Sequence, residues 1–277
     1  MAGNKSHHGK RLPVPDRRAM EGMMREFGPQ REPTEVDVAQ DLMYEAWETE
    51  DPDERIDLAH EALNMSEDCA DAWVLLAEEE SRSLGEAEDR YREGVEAGER
   101  ALGEAAFVEH KGHFWGVLET RPYMRARFGL AECLWERGAS DEAIRHCQRL
   151  LELNPHDNQD VRHVLLGWLL DERRHEEARA LLDQYEGEPS ACWEYSRALL
   201  AYREGQDSAD SRASRAQALA TNRHVPAYLA GRRKMPRRPP DYIGIGDKNE
   251  AVAYVLDNRS AWRDTPGAIG WLLKGKR

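Results

Sequence analysis

No run of eighteen apolar residues occurs in this 277-residue chain, so no membrane-spanning helix is predicted. The basic start MAGNKSHHGKRLPVPDRR lacks the apolar centre of a signal peptide, and the expected location is the cytoplasm. Cysteine is scarce. Cys69, Cys133, Cys147 and Cys192 show no CxxC spacing and each falls within a helical pattern, which points to buried free thiols rather than a disulfide framework. There is no GxSxG, hence no nucleophile elbow. His60-Glu61 does not extend to HExxH, and GIGDKNEA lacks the third glycine and preceding strand of a dinucleotide loop. These absences leave no catalytic constellation, and the expectation is a protein that is not an enzyme and carries no cofactor.

What is abundant is charge. A third of the residues are charged, and mean hydropathy is -0.81. The formal net charge of -14 is unevenly spread: residues 1–30 carry +3, residues 31–110 carry -20, and the remainder carries +3. The acidic block reads first as a solvated face, and it argues against nucleic acid wrapping that half.

From Thr34 to about Ala220 apolar residues recur at three and four, broken by short Gly, Pro, Asn or Asp turns. In GLAECLWERGASDEAIRHCQRLLELNP (129–155), Leu130, Ala131, Leu134, Gly138, Ala143 and Pro155 occupy places 7, 8, 11, 15, 20 and 32 of a unit counted from Met124. Small residues let two helices touch, Gly138 eases the turn and Pro155 ends the second helix. This grammar resembles the tetratricopeptide repeat. Four looser units fall in register: one with Leu42, Ala59 and Ala62; one with Trp73, Leu76, Ala77, Ala87, Tyr91 and Gly94; one with Leu165, Leu166, Leu169, Ala178 and Leu182; and one with Trp193, Leu200, Ala209, Ala213 and Ala216. Arg55 departs from the repeat where a small residue is usual. Residues 95–122 form an irregular insertion, with a helix running on to near Phe107 and a loop at HKGHFWG.

The predicted fold is therefore all-α: a right-handed superhelical solenoid of helix-turn-helix repeats over residues 34–221. A flexible basic arm precedes it at 1–33, with a short helix at RRAMEGMMREF. A Pro/Arg-rich loop and a capping segment follow at 222–277, where a helix near Asn249–Asn258 and Trp262, Ile269, Trp271 and Leu272 are expected to cover the end of the stack. GHFWGVLETRPYMRARFGLA, LLELNPHDNQ, PDYIGIGDKNEA and AWRDTPGAIGWL together look like a family of bacterial tetratricopeptide proteins, some labelled by similarity to a suppressor-of-tumorigenicity family. The resemblance spans about residues 35–272 and implies a repeat scaffold. It brings no established activity or catalytic residue.

Weighed as chemistry, His110 and His113 with Glu109 and Glu119 fall short of a metal set, and the clustered carboxylates Glu78, Glu79 and Glu80 are what an acidic block supplies by chance. The resemblance implies a groove lined by the first helix of each unit. Its lining would be Arg125, Phe128, Glu132 and Trp135 from one unit, and Arg162 and Leu166 from the next. The arginines would grip a carboxylate and the aromatics an apolar side chain. The full Lys/Asn clamp of chaperone-tail readers is absent. A charge reversal at Arg125 is expected to leave folding intact. The leading expectation is a scaffold for an unidentified protein or peptide. Arg232, Arg233, Lys234, Arg237 and Arg238 offer an alternative contact, to an acidic partner, to a second copy of the chain or, as an accessory, to nucleic acid.

Overall fold

The computed structural model describes residues 18–26, 32–238, 240 and 242–274. Most of the basic arm expected at 1–33 lies outside the described residues. All regular structure among the described residues is helical. The chain divides into two compact units, Met1–Gly138 with Glu152–Pro155, and Ala139–Leu151 with His156–Arg277.

The first unit contains α1 (Ala19–Glu26), α2 (Glu35–Glu48), α3 (Pro52–Met65), α4 (Ala70–Glu79), α5 (Leu84–Glu109) and α6 (Arg121–Glu136). Local chemistry sets the helix starts. Thr34 caps α2 in a reciprocal box: its hydroxyl accepts from the Asp37 N–H at 3.3 Å, and the Asp37 carboxylate accepts from the Thr34 N–H at 2.8 Å. Asp51 caps α3 ahead of Pro52, and Ser83 caps α5. Helices α2 and α3 pair, as do α4 and α5; α4 also packs on α2 and α6, so α2, α4 and α6 form a continuous row. The core between α2, α3 and α4 is built of Ala39, Met43, Trp47, Ala59, Ala62, Ala72, Leu75 and Leu76. Glycine allows α5 and α6 to approach closely. A Cβ at Gly98 would lie 2.8 Å from that of Tyr123, and one at Gly129 would overlap the Tyr91 ring. Arg55, out of place for the repeat, donates to both carboxylate oxygens of Glu79 at 2.9 Å and ties α3 to α4. Helix α5 bends at Gly103 (φ 65°), and the following segment folds into two single 3-10 turns that bury Phe114 against Phe107 and Tyr123.

The second unit contains α7 (Ser140–Leu153, its last turn excepted), α8 (Val161–Asp171), α9 (His175–Gln184), α10 (Ala191–Gly205), α11 (Ala209–Thr221), α12 (Val225–Leu229), α13 (Lys248–Arg263) and α14 (Ala268–Leu272). Helices α8 and α9 pair, α10 and α11 pair, and α8 touches α10. Helix α13 lies on both α8 and α10. Two polar ties hold it. The Glu250 carboxylate accepts from Ala191 N, Asn222 Nδ2 and Gly246 N at 2.7–2.8 Å. Arg203 donates to the carbonyls of Leu170 (2.6 Å) and Ala261 (2.9 Å). Helix α14 sits against the last pair, with Trp271 stacked on Tyr202 at 4.7 Å.

The register read for the last hairpin is corrected here: Ala209, Ala213 and Ala216 are exposed, whereas Ser211 and Ala218 face the core. Alanine is common on either face of a helix, so it marks burial weakly.

Candidate functional site

Along the row of first helices, α6 presents Arg121 and Arg125, one turn apart. Arg125 is 10 % exposed and makes a fork with Asp71 of α4, itself 0 % exposed: Nε to Oδ1 at 2.8 Å and Nη2 to Oδ2 at 2.5 Å. Gln40 of α2 donates to the same Asp71 at 2.9 Å. The remaining Arg125 nitrogen donates to Glu21 of α1 at 3.0 and 3.1 Å, and Arg121 donates to Glu21 at 3.0 Å. Burial works against the Arg125 charge; Asp71 and Glu21 outweigh it and hold its pKa above the ordinary arginine value. Trp47 of α2 lies beneath the cations, its ring 4.7 Å from Arg18 and 5.4 Å from Arg125. Its indole nitrogen is buried with no hydrogen-bond partner. Burial, with the Asp71 and Glu21 charges behind it, pushes the Tyr44 hydroxyl up.

The other residues singled out in the sequence are dispersed. On α6, Phe128 and Trp135 are half-buried and Glu132 is exposed. Partial desolvation, then the carboxylates of Glu136 and Glu78, raise the Glu132 pKa. In the second unit Arg162 spans Asp157 (3.0 Å) and Glu188 (2.9 Å) over the Tyr185 ring, while Leu166 is fully buried in the core. Arg232, Arg233, Lys234, Arg237 and Arg238 are all exposed, in an irregular segment followed by exposed Tyr242, Ile243 and Ile245. His110 and His113 lie at the end of α5 and just beyond it, and no cluster of three or more metal-capable side chains occurs among the described residues.

Sequence reasoning singled out Arg125 but missed Glu21, Asp71, Gln40, Trp47 and Arg121. Arg121 and Arg125 at i and i+4 were visible as a pair on one helix face. Asp71 had no such signal, being one acid in a block that is acidic throughout. The site can hold carboxylates by paired N–H donors. Its thiols are inert: burial, then the Asp71 charge, raises Cys69 to about 12, and burial, then the carboxylates of Glu136, Glu132 and Glu88, raises Cys133 to about 11.

The fold and this face define an all-helical protein of paired helices whose first-helix row is cross-braced by buried ion pairs. The chain belongs to the ST7 protein family, whose model matches residues 31–274. It is 29% identical over 255 residues to the suppressor of tumorigenicity 7 protein-like of Rattus norvegicus, covering 83% of this chain and 45% of the relative. The human protein of that name is likewise 29% identical, with 83% and 44% covered. The suppressor of tumorigenicity 7 protein of Macaca fascicularis is 27% identical over 283 residues, with 83% and 51% covered. The chain thus spans about half the length of these relatives.

This corrects the tetratricopeptide identification. The matching family is ST7, and the suppressor-of-tumorigenicity label borne by some of the proteins it resembles is the family itself. The physical reason for the misreading is plain. Small residues at contacts, glycine at turns and proline after a helix are demanded by any stack of helical hairpins. The first helices here begin at Glu35, Ala70, Arg121, Val161 and Ala191, which is not a constant period.

Proposed function

We propose that this chain is a non-catalytic scaffold that binds a protein or peptide segment on the face formed by α2, α4 and α6, which we read as one stretch of a right-handed solenoid. One observation carries the reading: Arg121 and Arg125 already hold a carboxylate delivered by a separate helix, α1. Arginines that converge on another element's acid, one of them over a buried indole, are the chemistry of segment recognition. None of the four cysteines forms a disulfide, which suits a reducing cytosol. A photo-crosslinking amino acid at Phe128 of the full chain tests the reading in the source cell. It should capture a discrete protein partner, and Arg121→Glu should abolish the capture. A yield at Phe128 no higher than at exposed Asp57 on α3 would refute the reading.

A second reading rests on the exposed cations between Arg232 and Arg238 and the adjoining Tyr242, Ile243 and Ile245. Glu54, Asp57 and Glu61 on α3, and Glu86, Asp89, Glu93 and Glu96 on α5, are exposed at helical spacing. A second copy would bring one set against the other. Sedimentation mass should then fall as salt rises, and Arg232→Glu/Arg237→Glu should give monomer at low salt. A mass independent of both would remove this reading.

A further inference from the structure

We propose that Arg121, Arg125 and Trp47 form a binding site for the carboxylate of an acidic helical segment, and that α1 is the chain's own removable occupant of that site. The inference rests on the reading of the α2/α4/α6 face as a binding surface and names what that surface takes.

The site keeps its shape without α1. Arg125 is oriented by Asp71, and Asp71 by Gln40, all from α2, α4 and α6. Arg121 is oriented by its Nε–H to the Trp115 carbonyl at 2.9 Å and by its guanidinium over the Trp115 ring at 5.2 Å. In each arginine the Nη1 group is what reaches Glu21. When α1 leaves, these two donors converge on the vacated place while their guanidiniums remain held, which is a preorganised carboxylate receptor.

The occupant is thinly attached. Of the α1 side chains, Ala19 and Glu21 are buried, while Met20, Met23 and Met24 are 58%, 63% and 51% exposed. Further ties run from Arg18 to Glu78 at 3.0 Å and from Arg25 to the Asp37 carboxylate at 2.9 Å, the Asp37 carbonyl at 2.8 Å and Asp41 at 2.6 Å, with Arg18, Arg25 and Asp41 all partly exposed. A helix of eight residues is too short to persist alone, so α1 exists by virtue of this docking. It is also an incomplete fit, because the buried Trp47 indole N–H finds no acceptor.

The extent of the family match makes the same division. Trp47, Asp71, Arg121 and Arg125 lie within the matched residues 31–274, and α1 lies outside them. In the second unit, the helix lying on α8 and α10 is α13, which is inside the match and is locked by Glu250 and Arg203. Of the two covering helices, α1 alone is additional to the family core. The position after the acid is restricted in size. A Cβ on Gly22 would stand 3.0 Å from Cγ of Tyr44, so the ligand needs a small residue directly after its carboxylate.

The test uses the full chain and a labelled synthetic peptide, RRAMEGMMREF, read by fluorescence anisotropy, with amide exchange reporting on α1, α4 and α6. Glu21→Lys should free residues 19–26 to exchange while α4 and α6 stay protected. The variant should bind the peptide at least about tenfold more tightly than the wild-type chain, whose tethered α1 competes at high effective concentration. Changing the peptide's own Glu to Gln, or adding Arg121→Ala to the protein, should each reduce binding by about tenfold or more. The proposal is overturned if the Glu21→Lys chain releases α1 but binds no peptide, if binding ignores the Glu→Gln change, or if α1 stays protected. It is equally overturned if the variant loses protection of α4 and α6, since α1 would then be part of the fold rather than an occupant. Any of these with the Phe128 crosslink intact discards the two-arginine site and keeps the face; loss of the crosslink as well discards the face.

Discussion

Arg125 shows how one buried side chain acquires two roles. Its fork to Asp71 braces α6 against α4, and its remaining donor reaches α1. Removing it strands a fully buried carboxylate. Arg125→Met should therefore destabilise the chain by about 3–5 kcal/mol in urea unfolding, and adding Asp71→Leu should recover part of that loss. The sequence alone suggested that reversing the charge at Arg125 would spare the fold; the pairing with Asp71 changes that expectation. Glycine at a contact is the other residue-scale feature. Gly129→Ala drives a methyl into the Tyr91 ring and should cost about 1–3 kcal/mol, with an unchanged urea midpoint counting against the α5–α6 packing.

At the scale of elements, local capping chemistry sets several of the helix starts. Ser83, Ser190, Ser208 and Asp247 each accept a backbone N–H from their own first turn. The bend in α5 was not legible, because a glycine within a helical pattern is tolerated either straight or left-handed. Gly103 sits at φ 65° with no atom within 4 Å of a Cβ built on it, so any penalty there is in the backbone alone. Gly103→Ala should cost about 1–3 kcal/mol. Gly116→Ala, which has open space and no positive φ, should stay within about 0.5 kcal/mol. Equal midpoints for the two variants in chemical denaturation would contradict the bend. Ala143 is fully buried on α7, and Ala143→Leu should overpack its surroundings by about 1–3 kcal/mol.

For the molecule as a whole, acid should act on the second unit through its histidines. In the second unit, desolvation and then the Arg162 charge lower the His163 pKa, while Asp160, Glu188 and Asp157 pull it back. Desolvation and then Arg203 lower His175 in the same way. A histidine whose folded pKa lies below the unfolded value of about 6.5 stabilises the fold fully above that pH. The contribution is lost as pH falls from there through the folded pKa, because the unfolded chain then binds more protons. Amide protection in the second unit should fall as the pH drops below about 6.5 and through the folded pKa, and His163→Gln should flatten that fall. A slope unaltered by the substitution would show that His163 does not contribute.

The sequence by itself determined an all-helical chain of paired helices and the segregation of its charge, because turn chemistry and apolar periodicity act between residues a few positions apart. It did not determine which helix covers which face. Glu21 meets Arg125 across more than a hundred positions, and α13 lies on the first helices α8 and α10, where only an end cap had been expected. Those choices belong to tertiary structure. A buried arginine must be paired with whatever carboxylate the packing brings near, and an apolar face must be covered by whatever segment reaches it, neither of which is written in local spacing.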